Sequence, residues 1–338
     1  MYQPRIRAED LLREGTGQDT GDFREVAGQE NAKRGAEIAA AGFHNLLMIG
    51  PPGVGKSMVA GRIPGILPPL TLKESLEVTG IFSVAGLLPP GQALITRRPF
   101  YAPHHTVTQA ALIGGGSGIP RPGMVSLAHR GVLFLDELPE FRKNVLDGMR
   151  QPMEERKVQI ARSAGMVTYP SDFILVAAMN PCPCGYYPDR NKCRCTQPQI
   201  EKYLGKISGP ILDRIDLCVE LHPVDILHLQ KTKTEKSSED MKRQIRHARE
   251  RQAERFAGTD CRFNGDIRSA QVEEYCPLGE EGQKVMEQLY RTLQLSARVY
   301  HRILKTARTI ADLEDREEIT GEHLLEAACY RPSETYWN

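Results

Sequence analysis

The chain has 338 residues, 40% hydrophobic and 26% charged, which is the composition of a soluble globular protein of about two domains and excludes a disordered one. Its 44 Lys and Arg residues nearly balance 43 Asp and Glu residues, and the net charge of +1 means that any nucleic-acid site must be a local patch. No signal peptide is recognisable and no apolar run approaches the roughly 18 residues of a membrane span, so we expect no membrane partner and predict a cytoplasmic protein.

The first two thirds of the chain predict an α/β domain. Residues 1–22 are polar and Gly-rich, which is typical of a linker, and an Ala-rich helix is predicted to end at Gly42. Near-continuous apolar runs at wide intervals favour buried parallel strands with helical crossovers. These runs are "NLLMI" (45–49), "GVLFLD" (131–136), "FILVAA" (173–178) and "IDLCVEL" (215–221). The Gly/Pro-rich stretch 79–125 is too long for a simple loop and is predicted to be an insertion with its own role.

The last third of the chain predicts helices. After a polar seam at 231–240, the segment "SARVYHRILKTARTIADL" places apolar residues on one helical stripe behind a capping Ser296, and Thr320 is predicted to cap a later helix. We therefore expect an α/β domain over 23–228 and an all-helical domain over 229–338.

A phosphate-binding loop is the clearest chemical motif. "GPPGVGKS" (50–57) follows a predicted strand, and Gly50, Gly53 and Gly55 allow backbone amides to close around phosphate. Lys56 is expected to reach the β- and γ-phosphates of ATP, and Ser57 to hold Mg²⁺. The alternative is a chance glycine turn, but this pattern should arise by accident in only on the order of one chain in a hundred.

Two later strands end in polar residues suited to ATP hydrolysis. "GVLFLDEL" ends in Asp136, expected to hold Mg²⁺ through water, and Glu137, expected to polarise the attacking water. "FILVAAMN" ends in Asn180, which could contact the γ-phosphate or the water. The alternatives are acids that cap the next turn and an ordinary turn asparagine.

An ordered set of motifs gives the chain a family resemblance. The motifs are "VAGQENAKR", "GPPGVGKS", "APHHT", "GVLFLDELPEF", "RQPMEE", "AAMNPCPCG", "SGPILDRIDL" and "SARVYHRILKTARTIADL". Together they cover roughly 23–332, and the chain resembles the magnesium-chelatase-like AAA+ ATPases of the ComM/YifB family. Members of that family usually carry an amino-terminal Lon-protease-like domain, and this chain begins after the place where that domain would end, as a truncated or short member would.

The resemblance implies roles that spacing alone does not give. Asn180 would be sensor 1, Arg214 in "ILDRID" the arginine finger that reaches a neighbouring subunit's γ-phosphate, and Arg298 in "SAR" sensor 2. Val26 and Gln29 would lie near the adenine. By itself the sequence also allows Arg214 to pair with Asp213 or Asp216, and it allows Arg298, Arg302 and Lys305 to form a solvated helix stripe.

The resemblance also implies two insertions that could point into a central pore. These are the stretch 79–125 and a β-hairpin over 156–170, which alternating Val158/Ile160 and Val167/Tyr169 around "SAG" support. Lys157, Arg162, Arg97 and Arg98 would then contact DNA phosphates, although solvated charge is the commoner role of such residues. His104 and His105 in "APHHT" are adjacent in one loop and make a poor metal site by themselves.

Half of the eight cysteines lie in "CPCGYYPDRNKCRC", and the others are scattered singly, as is typical of reduced thiols. Cys182, Cys184, Cys193 and Cys195 could bind a structural Zn²⁺ tetrahedrally, although the Cys-x-Cys spacing is tighter than usual. The alternatives are metal-free thiols or disulfides formed after purification.

The resulting hypothesis is an ATP- and Mg²⁺-dependent ring motor, a homo-oligomer expected to be hexameric, that acts on DNA. The resemblance implies single-strand handling or branch migration in recombination or natural transformation. The alternatives are a motor subunit that drives Mg²⁺ insertion into a porphyrin, and a nucleotide-gated scaffold without catalysis.

Overall fold

A computed structural model describes residues 21–116, 120–162, 165–224, 236–332 and 336. Most of the predicted linker, the tip of the predicted hairpin at 163–164 and the predicted domain boundary near 228 lie outside these ranges. None of the helices within them is long and apolar enough to cross a membrane.

The strands of the described residues form one central sheet and two small ribbons. They are Leu46–Ile49 (β1), Phe100–Tyr101 (β2), Gly114–Gly115 (β3), Arg121–Pro122 (β4), Val132–Leu135 (β5), Lys157–Arg162 (β6), Gly165–Pro170 (β7), Ile174–Met179 (β8) and Leu217–Glu220 (β9). The central sheet has the order β2-β5-β8-β1-β9 and all of its pairs are parallel. Its β1, β5 and β8 are buried along their whole length, as expected when helices cover both faces.

The edge strand β2 was not predicted. It lies inside the stretch 79–125, which was expected to be an insertion, and it consists of only two residues. Phe100 is 37% exposed, so this strand gives no continuous apolar run in the sequence. Part of the supposed insertion therefore belongs to the central sheet.

Helices and short 3₁₀ turns connect these strands. The α-helices up to β9 are Glu30–Gly42 (α1), Lys56–Ile66 (α2), Leu72–Ala85 (α3), Gln109–Ile113 (α4), Met124–Leu127 (α5), Lys143–Gly148 (α6), Arg150–Glu155 (α7), Gln197–Leu204 (α8) and Gly209–Leu212 (α9). The 3₁₀ turns of the described chain are Phe23–Glu25, Leu138–Glu140, Asn264–Asp266 and Ser269–Gln271.

The predicted insertion 79–125 also begins too early, because its first residues belong to α3. Thr71 accepts a hydrogen bond from the Glu74 backbone, and the Glu74 side chain accepts one from the Thr71 backbone, which together form a capping box. The helix ends at Gly86, whose φ of 72° favours glycine. Residues 79–85 are therefore the last two turns of a capped helix.

The carboxyl-terminal part of the described chain is helical. Its α-helices are Ser238–Arg255 (α10), Val272–Tyr275 (α11), Glu280–Thr292 (α12), Ala297–Leu313 (α13) and Gly321–Cys329 (α14). Ser296 caps α13 by accepting a hydrogen bond from the Val299 amide. The predicted apolar stripe of α13 faces the core. Each buried Ile on it, such as Ile303, contributes about 1.5–3 kcal/mol to the free energy of folding.

These helices pack on α1 and so reach one face of the sheet. Apolar residues of α10, α13 and α14 join those of α1, β1 and β9 in one buried cluster. At the rim of this contact, Arg34 of α1 donates to Glu326 of α14 at 2.8 Å and to Glu314 at 3.2 Å. The opposite face of the sheet packs against the β6–β7 hairpin, where Val158 and Ile160 are buried.

Candidate nucleotide site and cysteine cluster

The phosphate-binding loop joins the carboxyl end of β1 to the amino end of α2. Gly53 and Gly55 have φ values of 79° and 95°, which favour glycine. A Cβ on Gly50 would lie 2.6 Å from the Leu221 carbonyl oxygen, so the loop can pass β9 only with glycine there. The two positive-φ glycines have nothing within 4 Å of a Cβ position, and this open space beside the helix terminus fits phosphate.

The Lys56 ammonium group lies at the centre of this loop. It donates to the Gly50 carbonyl oxygen at 2.5 Å, to the Pro51 carbonyl oxygen at 2.9 Å and to Asn180 Oδ1 at 3.1 Å. Burial lowers the Lys56 pKa, and the negative charges of Asp136 and Glu137 oppose that shift. The fold thus brings together the loop and the ends of β5 and β8.

Two oxygen ligands suited to Mg²⁺ meet beside the lysine. Ser57 Oγ donates to Asp136 Oδ2 at 2.8 Å, which joins the first turn of α2 to the end of β5. A hydroxyl and a carboxylate are the ligands that Mg²⁺ takes in phosphate sites. Glu137 follows with a left-handed φ of 53°, and its side chain is 56% exposed. The donor set therefore fits the metal that ATP hydrolysis requires.

His105 is a neighbour of Glu137 that the sequence reasoning missed. Its Nδ1 lies 3.1 Å from Glu137 Oε2, and its ring lies 4.0 Å from that of His104. The sequence suggested only a weak metal site for the two histidines. They follow β2, which is adjacent to β5, so recognising β2 would have placed them at this edge of the sheet.

One of the two predicted adenine neighbours, Gln29, contacts the phosphate-binding loop. Val26 is buried, directly after the 3₁₀ turn Phe23–Glu25. Gln29 Nε2 donates to the Val54 carbonyl oxygen at 3.1 Å and to the His222 carbonyl oxygen at 2.6 Å. The Gln29 amide therefore connects the phosphate-binding loop to the segment that follows β9.

Arg214 lies at the opposite edge of the sheet from Lys56. Asn45, directly before β1, donates through Nδ2 to the Arg214 carbonyl oxygen at 2.8 Å. The four residues of β1 span about 13 Å between that point and the phosphate-binding loop. The Arg214 guanidinium pairs with Glu154 of α7, not with Asp213 or Asp216. Within one chain, Arg214 is therefore not part of the Lys56 site.

Arg298 lies on the same remote edge. It pairs with Asp213, the residue before Arg214, although its side chain is still 61% exposed. Arg302, one turn later, is buried and donates to the Asp213 carbonyl oxygen at 3.2 Å, so the expectation of a solvated stripe is wrong for Arg302. Burial and then the positive charges of Arg298 and Arg150 lower the Arg214 pKa.

Two family profiles cover nearly the whole chain. The profile described as "Magnesium chelatase, subunit ChlI" matches residues 22–229, and the one described as "Magnesium chelatase, subunit ChlI C-terminal" matches residues 235–331. The chain belongs to the magnesium chelatase family. The predicted family and the predicted AAA+ α/β fold with a carboxyl-terminal helical region are both confirmed.

Relatives within this magnesium chelatase family include ComM and YifB proteins. The chain is 46% identical to YifB of Salmonella typhimurium over 314 residues, which cover 92% of this chain and 60% of that protein. It is 43% identical to the competence protein ComM of Haemophilus influenzae over 322 residues, 94% of this chain and 61% of that protein. It is 25% identical to the magnesium-chelatase 67 kDa subunit of Chlorobaculum parvum over 241 residues, 65% of this chain and 34% of that protein. The chain thus spans about 60% of the length of its ComM and YifB relatives.

The four clustered cysteines of this magnesium chelatase family member converge in space. Their Sγ atoms all lie within 4.8 Å of one another. Cys182 Sγ lies 3.3 Å from Cys184 Sγ and 3.7 Å from Cys193 Sγ, and the latter two are 3.6 Å apart; Cys195 Sγ completes the group. A tetrahedron with Zn–S bonds of about 2.3 Å has sulfur–sulfur separations of about 3.8 Å. The cluster therefore has nearly the dimensions of a four-thiolate zinc site.

The prediction that Arg98 contacts DNA phosphates is not supported by its position in the structure. Arg98 donates through Nε to the Pro68 carbonyl oxygen at 2.5 Å and through Nη1 to that of Arg130 at 2.7 Å, and it pairs with Glu74 at 3.2 Å. The Arg98 guanidinium is therefore used inside the fold, because neighbouring carbonyl and carboxylate oxygens hold it there. Lys157 of β6 is exposed, and the side chain of Arg162 lies outside the described part of the chain.

Proposed function

We propose that this chain is an ATP-hydrolysing motor subunit that assembles into a hexameric ring and acts on DNA. The observation that carries the proposal is the convergence of Lys56, Asn180 and the Ser57–Asp136 pair at the carboxyl edge of one parallel sheet. That edge is where ligands of open α/β sheets bind. Such a motor would work in the cytoplasm, where reduced thiols are typical.

The residues of this site have distinct roles in the proposed reaction. The amides around Gly50, Gly53 and Gly55 bind the ATP phosphates, and Val26 and Gln29 lie beside the adenine. Ser57 and Asp136 would hold Mg²⁺, which would neutralise charge on the phosphate oxygens. Lys56 exchanges its carbonyl partners for the β- and γ-phosphates, while Asn180 keeps the ammonium group in position.

Glu137 is assigned to the attacking water. It accepts a proton as the water oxygen bonds to the γ-phosphorus and the bond from that phosphorus to the bridging oxygen breaks, which leaves ADP and inorganic phosphate. The His105 imidazole at 3.1 Å is positioned to orient this carboxylate.

Arg214 and Arg298 support the ring assembly. Both lie at the edge of the sheet opposite the chain's own phosphate-binding loop, and each pairs with a carboxylate there. In a ring with heterologous contacts, this edge can face the nucleotide of the next subunit, and both guanidinium groups could then compensate charge on its γ-phosphate.

Two observations support DNA as the substrate. A relative at 43% identity is named a competence protein, in keeping with the natural transformation that the family resemblance implies. The β6–β7 hairpin buries Val158 and Ile160 and exposes Lys157 and Gln159 on its other face together with Met166, so it presents a cationic side chain away from the core. Ring symmetry would multiply the few cationic contacts of this nearly neutral chain.

Fluorescence anisotropy of labelled single-stranded DNA over a salt series tests the proposal, with an ATP analogue present to close the ring. We expect binding that is indifferent to base sequence and weakens steeply with salt. Replacing Lys157 and Arg162 by Ala should lower both the affinity and the salt slope, the slope by roughly 0.7 per lost phosphate contact. Lys284→Ala, an exposed lysine of α12, is the matched control. Absence of binding at low salt would contradict a role on DNA.

A chelatase-type motor subunit is the second candidate. The matching family description and the similarity to a magnesium-chelatase subunit favour it. Such a subunit would hydrolyse ATP with little response to DNA, and partner subunits would stimulate it strongly. A nucleotide-gated scaffold would bind ATP without turnover, so one ATPase assay with and without DNA separates the three functions.

We also propose that the four cysteines hold a structural Zn²⁺. The sulfur–sulfur distances of 3.3–3.7 Å support this, and four thiolates leave no open catalytic position. Metal analysis should find about one zinc per chain, with four sulfur ligands at about 2.3 Å. Chelation should lower the melting temperature, because binding energy contributes to folding. Metal-free protein with unchanged stability would contradict this assignment.

A further inference from the structure

The loop that carries the cysteines touches the phosphate-binding loop. We define the cysteine loop as residues 181–195, which start directly after Asn180. A Cβ built on Gly185 of this loop would lie 2.7 Å from Cδ of Pro52 and 3.8 Å from Cγ of Asn180. The Gly185 turn therefore leaves no room for a side chain beside Pro52, and Asn180 lies next to the same position.

Contacts within the cluster determine the position of Gly185. Its amide donates to the Cys182 carbonyl oxygen at 3.0 Å, and the Tyr187 amide donates to Cys182 Sγ at 3.4 Å. Gly185 directly follows Cys184, one of the four sulfur donors, and has a φ of 88°. Whatever fixes the cysteine sulfurs therefore also fixes the turn that contacts Pro52.

We propose that Zn²⁺ on the four cysteines controls nucleotide affinity by holding Gly185 against Pro52 and Asn180. This inference rests on the proposed ATP site and on the proposed zinc site, and it couples the two. Four sulfurs within 4.8 Å of one another, three of them at 3.3–3.7 Å, repel one another as thiolates unless a cation lies between them. Loss of the metal opens the turn, and Asn180 Oδ1 then no longer holds Lys56 Nζ at 3.1 Å.

The test measures binding of a fluorescent ATP analogue to the full chain before and after chelation, with zinc content determined on each sample. Removal of zinc should weaken binding by about tenfold, as expected for a misplaced hydrogen bond to a charged group. Added Zn²⁺ should restore the affinity. Cys184→Ser should reproduce the loss, Cys184→His should retain both zinc and affinity, and Cys329→Ser, an exposed cysteine outside the cluster, should change neither.

Gly185→Ala separates this coupling from a general effect of zinc on folding. The variant keeps all four cysteines, so it should keep its zinc, yet its Cβ would displace Pro52 and weaken nucleotide binding. Zinc-free folded protein with unchanged affinity, or zinc-loaded Gly185→Ala with unchanged affinity, would overturn the proposal. Zinc-loaded wild-type protein that binds no nucleotide would instead contradict the proposed ATPase, so the two failures are distinguishable.

Discussion

Lys56→Ala should severely weaken nucleotide binding, whereas Glu137→Gln should bind ATP and hydrolyse it far more slowly. The lysine supplies the buried positive charge at the centre of the phosphate-binding loop, and its loss should weaken affinity by about a hundredfold, the cost of removing a charged hydrogen-bonding group. Glu137→Gln keeps the shape of the side chain and removes only its ability to accept a proton, so turnover should fall by about 10²–10⁴-fold. Titration with a fluorescent ATP analogue and a phosphate-release assay measure the two quantities.

A matched control for these variants is Lys202→Ala, which changes an exposed lysine of α8. It should leave both nucleotide affinity and turnover unchanged. Turnover near the wild-type rate in Glu137→Gln would contradict the assignment of Glu137 to the attacking water. Unchanged affinity in Lys56→Ala would contradict the nucleotide site itself.

Arg214→Ala should lower ATP turnover by about 10³-fold without preventing nucleotide binding, because an arginine finger acts on the transition state. Arg214 lies across the sheet from its own phosphate-binding loop, so the effect should operate between subunits. Mixed rings of Arg214→Ala and Glu137→Gln should therefore recover activity at interfaces where an intact Arg214 faces an intact Glu137. Each variant alone should be inactive in the same phosphate-release assay.

The matched control is Arg291→Ala, an exposed arginine of α12 that pairs only with Glu287 one turn away among the described contacts. Mixed rings of Arg291→Ala and Glu137→Gln subunits should show only the activity that the Arg291→Ala subunits have by themselves. Mass photometry or native mass spectrometry must show that mixed rings form. If they form and no activity returns, Arg214 does not act on a neighbouring subunit.

Local sequence was sufficient for the features that depend on neighbouring residues. The glycines and the lysine of "GPPGVGKS" are contiguous, and the runs that became β1, β5, β8 and β9 are apolar because parallel strands are covered on both faces. The caps at Ser296 and Thr320 also depend on residues within one turn. The family resemblance, the fold class and these strands could therefore be predicted without coordinates.

Only the tertiary structure showed which distant residues meet. The two-residue strand β2 has no periodicity of its own and exists because β5 lies beside it, and its position brings His105 to Glu137. The Arg98 guanidinium donates to carbonyl groups about 30 residues away, so it is not free to contact DNA phosphates, and no local sequence pattern indicates this. The pairing of Arg214 with Glu154 and the contact of Gly185 with Pro52 likewise join distant segments. Spacing along the chain identified which residues have suitable chemistry, and packing of the sheet decided which of them share a site, because such contacts depend on the path of the whole chain.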